Sequence, residues 1–208
     1  MSRVVGPKCR LCRREGMKLF LKGARCYAAK CAIERRQTPP GMHAERRKKK
    51  MEDYGLQLRE KQRLKRLYGV FEGPFLRFLG RAEQQAGNTS ENLLRLLERR
   101  LDNVVYRMGF ASSHAAARQL VAHGHVRVNG DRVDVASYLV AANDEVMVAG
   151  EGMKERIAAT LKAARERGGV AGWVEVSDDL KGTVRALPTK DDISLPVDEN
   201  LVVTYYSK

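Results

Sequence analysis

The chain has 208 residues, with 39 Lys/Arg against 25 Asp/Glu and a formal net charge of +14. That length suits one or two domains with real cores, and 43% hydrophobic residues suit a folded protein. No run approaches the ~18 consecutive apolar residues of a membrane helix, and Met1 to Pro7 lacks the apolar stretch of a secretion signal, so the expectation is the reducing cytosol and no membrane partner.

The charge sits mostly at the front. Residues 1–50 carry 16 Lys/Arg against 3 Asp/Glu, residues 51–123 carry 12 against 8, and residues 124–208 carry 11 against 14. All four cysteines lie in that basic front, as Cys9-x2-Cys12 and Cys26-x4-Cys31. Two short knuckles separated by a loop can enclose one tetrahedral Zn2+ with four thiolates. Such a complete shell leaves no position for water, so the expected ion is structural. Neighbouring Arg and Lys are expected to lower the thiol pKa values. An iron–sulfur cluster, two disulfides and idle thiols are the other readings of the quartet. The cations around it, Arg10, Arg13, Arg14 and Lys22, point to a polyanion partner.

Along the chain, Pro39-Pro40-Gly41 stops any helix. The basic run Arg46 to Lys50 reads as a phosphate-tracking stretch. A helix is expected over Glu52–Tyr68, with Leu56, Leu64 and Leu67 apolar, and a second over Phe71–Ala86, with Phe75, Leu76, Phe78 and Leu79 as its core. Ser90 is expected to cap a single long helix whose stripe runs from Leu93 to Met108 and closes at Gly109. A shorter helix follows over Ser113–His123. The period then changes to two at Val126-Arg127-Val128, and Asn129-Gly130 marks a hairpin turning into Arg132–Val135. Glu145–Val148 reads as a strand and Glu151–Arg167 as a helix. Trp173–Val176, Thr183–Ala186 and Leu201–Tyr206 alternate like strands.

Two helices meeting at a turn, followed by a hairpin, would present Arg107, Arg118, Gln119, His123, His125 and Arg127 on one face. A-form RNA hides its base edges in a deep groove, so this face would read backbone shape and 2′-hydroxyls. Gly124 and Gly130 would let phosphates approach the backbone.

The stretch from Arg99 through Arg107-Met108-Gly109-Phe110 to His123-Gly124-His125-Val126-Arg127-Val128-Asn129-Gly130 closely resembles the RNA-binding core of the ribosomal protein S-four family of the small subunit. Pro39-Pro40-Gly41-Met42-His43, Leu58-Arg59-Glu60-Lys61-Gln62 and Leu201 to Lys208 are similar to other segments of that family, and the cysteine quartet resembles its zinc-binding form. The resemblance covers essentially the whole chain. It extends the expected RNA contacts to Arg35, Arg36, His43, Arg46, Arg47, Lys48, Arg59, Lys61, Gln62, Arg66, Arg99, Ser113, Asn129 and Arg132. It implies a ribosome-bound, non-enzymatic constituent of the small subunit that binds 16S rRNA early at a junction of several helices. It also implies contact with ribosomal protein S-five near the path by which messenger RNA enters, an influence on accuracy, and in some bacteria repression of its own messenger RNA. One departure is His114, where the family commonly has a basic residue.

Arg100-Leu101-Asp102 echoes the catalytic trio of pseudouridine synthases, but Asp102 falls within a leucine-striped helix and the chain lacks length for the extra sheet domain. Ser113 reads as a helix cap and not a nucleophile. A zinc-dependent DNA regulator would present one short helix, whereas the basic surface here spans many elements. The expected fold is α+β and mainly helical. It has a zinc-clasped basic segment at 1–45, a helical domain at 46–92 rejoined by about 190–208, and an RNA-binding domain at 93–189 with a helix-turn-helix, a β-hairpin and a small antiparallel sheet. A homo-oligomer is not expected.

Overall fold

The computed structural model describes residues 5–42, 51–177, 179–193 and 195–207, with Glu151 described by its backbone alone. The chain divides into two compact units, residues 1–93 with 195–208, and residues 94–194.

In the first unit, α1 (Lys8–Glu15), a 3-10 turn (Gly23–Cys26) and α2 (Ala32–Arg35) make up the N-terminal segment. Its buried apolar side chains among the described residues are Cys12, Leu19, Cys26 and Cys31. Three of the four are cysteines, which leaves Leu19 as the one ordinary core residue. Helices α3 (Asp53–Leu67) and α4 (Glu72–Glu83) follow and bury Leu64, Leu67, Phe75, Phe78 and Leu79. Leu56 and Leu76 were expected inside, yet they are 41% and 45% exposed, each on the outer side of its helix.

The stretch Leu201–Tyr206 is not a strand. It lies in α9 (Glu199–Tyr206), which packs on α3. Asp198 starts this helix by accepting the backbone N–H groups of Asn200 and Leu201 at 3.0 and 3.4 Å. Val202, Val203 and Thr204 favour strands only weakly, and packing overrides that preference. Val202 is fully buried, and the Tyr206 ring tilts against Phe75 with centroids 6.1 Å apart.

The expected long helix from Ser90 to Met108 is two helices, α5 (Thr89–Glu98) and α6 (Leu101–Arg107). Asn88 sits where Ser90 was expected to cap, and its Oδ1 accepts the Ser90 N–H at 3.0 Å. The break falls at Arg100, whose backbone is extended (φ −62°, ψ 134°). The cause lies about forty residues downstream. Leu101 N–H donates to Tyr138 O at 2.8 Å, and Val140 N–H donates to Arg99 O at 2.9 Å. These bonds tie residues 99–101 to the loop 136–140 and cannot form from a continuous helix.

In the second unit, α7 (His114–Ala122) leads into β1 (Val126–Val128) and β2 (Asp131–Arg132). Then come β3 (Glu145–Val148), α8 (Glu151–Glu166), β4 (Val174–Val176) and β5 (Lys181–Val184). The sheet is antiparallel throughout, in the order β2-β1-β3-β5-β4. The hairpin turn has positive φ at both Asn129 (53°) and Gly130 (91°), as a two-residue turn of this hand requires. One continuous core joins α6, α7, α8 and the inner sheet face through residues such as Leu101, Val105, Met108, Val121, Val146 and Ile157.

Candidate nucleic-acid interface

The four cysteine thiols line one small cavity, with Lys8, Leu21, Lys22, Ala32 and Ile33 around them. The backbone N–H of Lys22 donates to Cys26 Sγ at 3.3 Å. Among the described residues, no group of three or more Cys, His, Asp or Glu stands in metal-holding geometry. The expectation that neighbouring cations lower the thiol pKa values is overturned for two of them. Burial pushes Cys12 and Cys26 up and the other thiols add to this; the Leu19 backbone hydrogen bond at Cys12, and the Lys22 backbone hydrogen bond with the Lys18 charge at Cys26, oppose the shift without reversing it. Arg10, Arg14 and Lys22 instead turn to solvent. Arg13 is spent locally: it donates to Thr38 O at 2.8 Å and Pro39 O at 3.2 Å, holding the Pro-Pro turn onto α1. Arg35 and Arg36 are exposed. His43, Arg46, Arg47 and Lys48 lie outside the described residues.

The candidate cations of α3 are drawn into internal pairs. Glu15, at the end of α1, has no exposed side-chain surface and accepts from Arg59 at 3.1 Å and from Arg66, with Arg63 beside it at 3.8 Å. Desolvation lowers the Arg66 pKa while Glu15 opposes the shift. Lys61 is buried, pairs with Glu72 at 2.9 Å and lies over the Tyr205 ring. Glu72 also meets Lys65 and Tyr206, and despite burial its pKa is lowered to about 2. Gln62 is half-buried on the same helix.

Two buried carboxylates organise the candidate residues around α6 and α7. Glu98 accepts from Arg107 Nε at 2.9 Å and from Asn103. Asp102 takes a two-point contact from Arg100, at 3.1 and 2.7 Å, and a longer one from Arg118 at 3.4 Å. Arg107 and Arg118 are therefore held by carboxylates, with about a fifth of each side chain exposed. Arg99 donates to Val140 O at 2.9 Å. Ser113 caps α7, accepting the Ala116 N–H at 3.3 Å. The His114 ring lies tilted against Tyr106 with centroids 4.1 Å apart. Its burial, and then the charges of Arg107 and Arg100, push its pKa well below the usual range. It is neutral at pH 7 and offers no cation to a phosphate.

The hairpin is where cations remain outward. Arg127 and Arg132 are direct cross-strand partners on the exposed face, and neither has an acidic partner among the described residues. Like charges facing each other across a ladder destabilise it, so the pair stands at a cost that a polyanion would remove. Gly124, expected to admit a phosphate, admits Arg132 instead: a Cβ there, at φ +72°, would collide with the Arg132 guanidinium. Asn129 is also engaged internally, donating to Asp144 Oδ1 at 2.8 Å and accepting from Glu145 N–H at 2.9 Å. Gln119 and His123 are exposed and His125 half-buried. The carboxylates Glu15, Glu98 and Asp102 are the organisers that sequence reasoning missed. For Glu98 and Asp102 the signal was an acid in an apolar stretch near arginines; Glu15, between Arg13-Arg14 and Gly16, carries no such signal.

Comparison with known proteins adds independent evidence. Residues 3–98 match the ribosomal protein S4/S9 N-terminal domain, and residues 99–146 match the S4 domain. The chain is 54% identical to small ribosomal subunit protein uS4A of Alkaliphilus metalliredigens and 52% identical to small ribosomal subunit protein uS4 of Thermodesulfovibrio yellowstonii. Each alignment covers all of both chains.

Proposed function

The chain belongs to the ribosomal protein S4 family, and from that premise we propose that it is a primary 16S rRNA binder which nucleates assembly around a multi-helix junction. At the coarser level the family membership is enough: it is a structural constituent of the small ribosomal subunit that binds rRNA, and it is not an enzyme. The observation that best supports an RNA contact at the hairpin is the Arg127–Arg132 pair, a repulsive arrangement that a phosphate backbone would convert to an attractive one. Gln119, His123 and His125 extend this surface, while Arg107 and Arg118 act as partly shielded cations set by their carboxylates. In the first unit Arg10, Arg14, Lys22, Arg35 and Arg36 form the outward set. Contact with ribosomal protein S-five, an influence on decoding accuracy and repression of its own messenger RNA belong to the same reading, carried by family resemblance alone.

Zinc is part of the proposal. The support is the four thiols around one cavity, in a segment whose buried apolar residues, among the described ones, are otherwise limited to Leu19. Cys9, Cys12, Cys26 and Cys31 would hold the ion, which would supply a closed structural shell and no reaction step. The basic segment 1–45 then serves as a stapled basic arm. Elemental analysis tests this directly: one zinc per chain is expected, and iron in its place would refute it. For the RNA reading, affinity for a 16S rRNA fragment should fall about a thousandfold or more between 50 and 200 mM salt if ~6–10 phosphates are engaged. A shallow dependence, or preference for duplex DNA at matched salt, would overturn it.

A further inference from the structure

The second unit contains a pocket of about 120 Å³ between α7, the start of β1 and α8. Its deep surface is apolar, with Phe110 and Ile157 buried and Leu120 and Met153 partly so. Its mouth is polar, with Gln119, His123 and Arg156 exposed. None of the residues lining it is acidic.

Three features narrow the occupant. The volume is small beside the ~300–1,000 Å³ of ordinary metabolite clefts, which suits one flat ring system and not a larger ligand. Apolar walls with a polarisable thioether suit a ring face, and the Gln119 amide offers both a donor and an acceptor to a ring edge. The mouth combines a guanidinium with two imidazoles whose centroids lie 6.2 Å apart, and no carboxylate lines it among the described residues. The pocket is also continuous with the candidate RNA surface. His125, which lines it, directly precedes β1, the strand that carries exposed Arg127.

We propose that this pocket receives one unpaired RNA base, extruded from the bound strand, with its ring against Leu120, Met153 and Ile157 and its phosphate toward Arg156. The inference deepens the rRNA-binding reading and rests on it. Unpaired bases, whose faces and edges are free, are where sequence can be read in RNA. The pocket would thus add selectivity that the backbone-reading hairpin lacks.

Filling the pocket tests it. Ala116→Leu and Thr160→Leu both place a good helix former on a lining position, so α7 and α8 should persist. Affinity for the 16S rRNA fragment should drop about tenfold, the scale of one stacked base, with the salt slope falling by no more than about one, because at most the single phosphate beside Arg156 is displaced. With unaltered protein, photo-cross-linking to 4-thiouridine-substituted rRNA should label peptides containing Gln119–His125 or Met153–Thr160, and this arm stands even if a filled variant fails to fold. A folded, filled variant that binds as tightly as the original overturns the pocket while leaving rRNA binding intact. Cross-links confined to other peptides do the same. Failure of the unaltered protein to bind the fragment at all overturns both.

Discussion

The two units solve the problem of carrying many cations in different ways. In residues 94–194 a continuous apolar core of α6, α7, α8 and the sheet carries the stability, and buried Glu98 and Asp102 hook the nearby arginines onto it. In the N-terminal part of the first unit the described residues form almost no such core, and arginines from α3 converge on one buried carboxylate, Glu15. Where apolar burial is plentiful, ion pairs orient side chains on a scaffold that is already stable. Where it is scarce, ion pairs carry a larger share of the contacts that hold the segment.

The sharpest way to break this contrast is Cys26→Ser. If the thiols hold the proposed zinc, worth on the order of 10 kcal/mol in small modules, residues 5–42 should lose hydrogen-exchange protection and become protease-sensitive, while the core around Val105 and Val146 keeps its protection. Loss of protection in both regions would erase the distinction. Next in size is Glu98→Gln. It leaves the Arg107 guanidinium facing a neutral amide in a buried site and should cost about 3–5 kcal/mol in urea unfolding, the scale for breaking a buried pair.

A smaller effect is expected from pH. The native state holds His114 neutral, whereas the unfolded chain takes up a proton near pH ~6.5, so stability should decline as pH falls below that value. His114→Phe should flatten this slope between pH 6.5 and 5. Glu72 works in the other unit and at lower pH. Its native pKa of about 2 lies below its unfolded value, so its contribution persists above about pH 4.5 and disappears on further acidification. Gly124→Ala should cost about 1 kcal/mol through the left-handed backbone and displace the Arg132 guanidinium, measured as a lower thermal midpoint together with weaker RNA binding. The smallest change in stability should come from Arg127→Ala. Removing the facing like charge should leave the fold unchanged or steadier by about 0.2–1 kcal/mol, while RNA affinity falls and the salt slope decreases by about one. A destabilised Arg127→Ala would show that the pair serves the fold.

Local chemistry was legible wherever partners are near in sequence. The hairpin at Asn129-Gly130, the cap at Ser113, helices α3, α4, α7 and α8, and the strand β3 all follow from spacing and turn residues, because each is settled within a few residues. The break at Arg100 could not be read that way, since its backbone partners lie at 138–140. Nor could α9, whose β-branched run becomes helical through the Asp198 cap and packing on α3. The candidate site divides along the same line. The amino-acid order alone determines that the chain is cationic, where its cysteines cluster and which residues are able to meet phosphate. Which of those cations face outward is decided by folding, because a carboxylate such as Glu15 reaches its arginines forty-four or more positions away only once α1 and α3 have packed together.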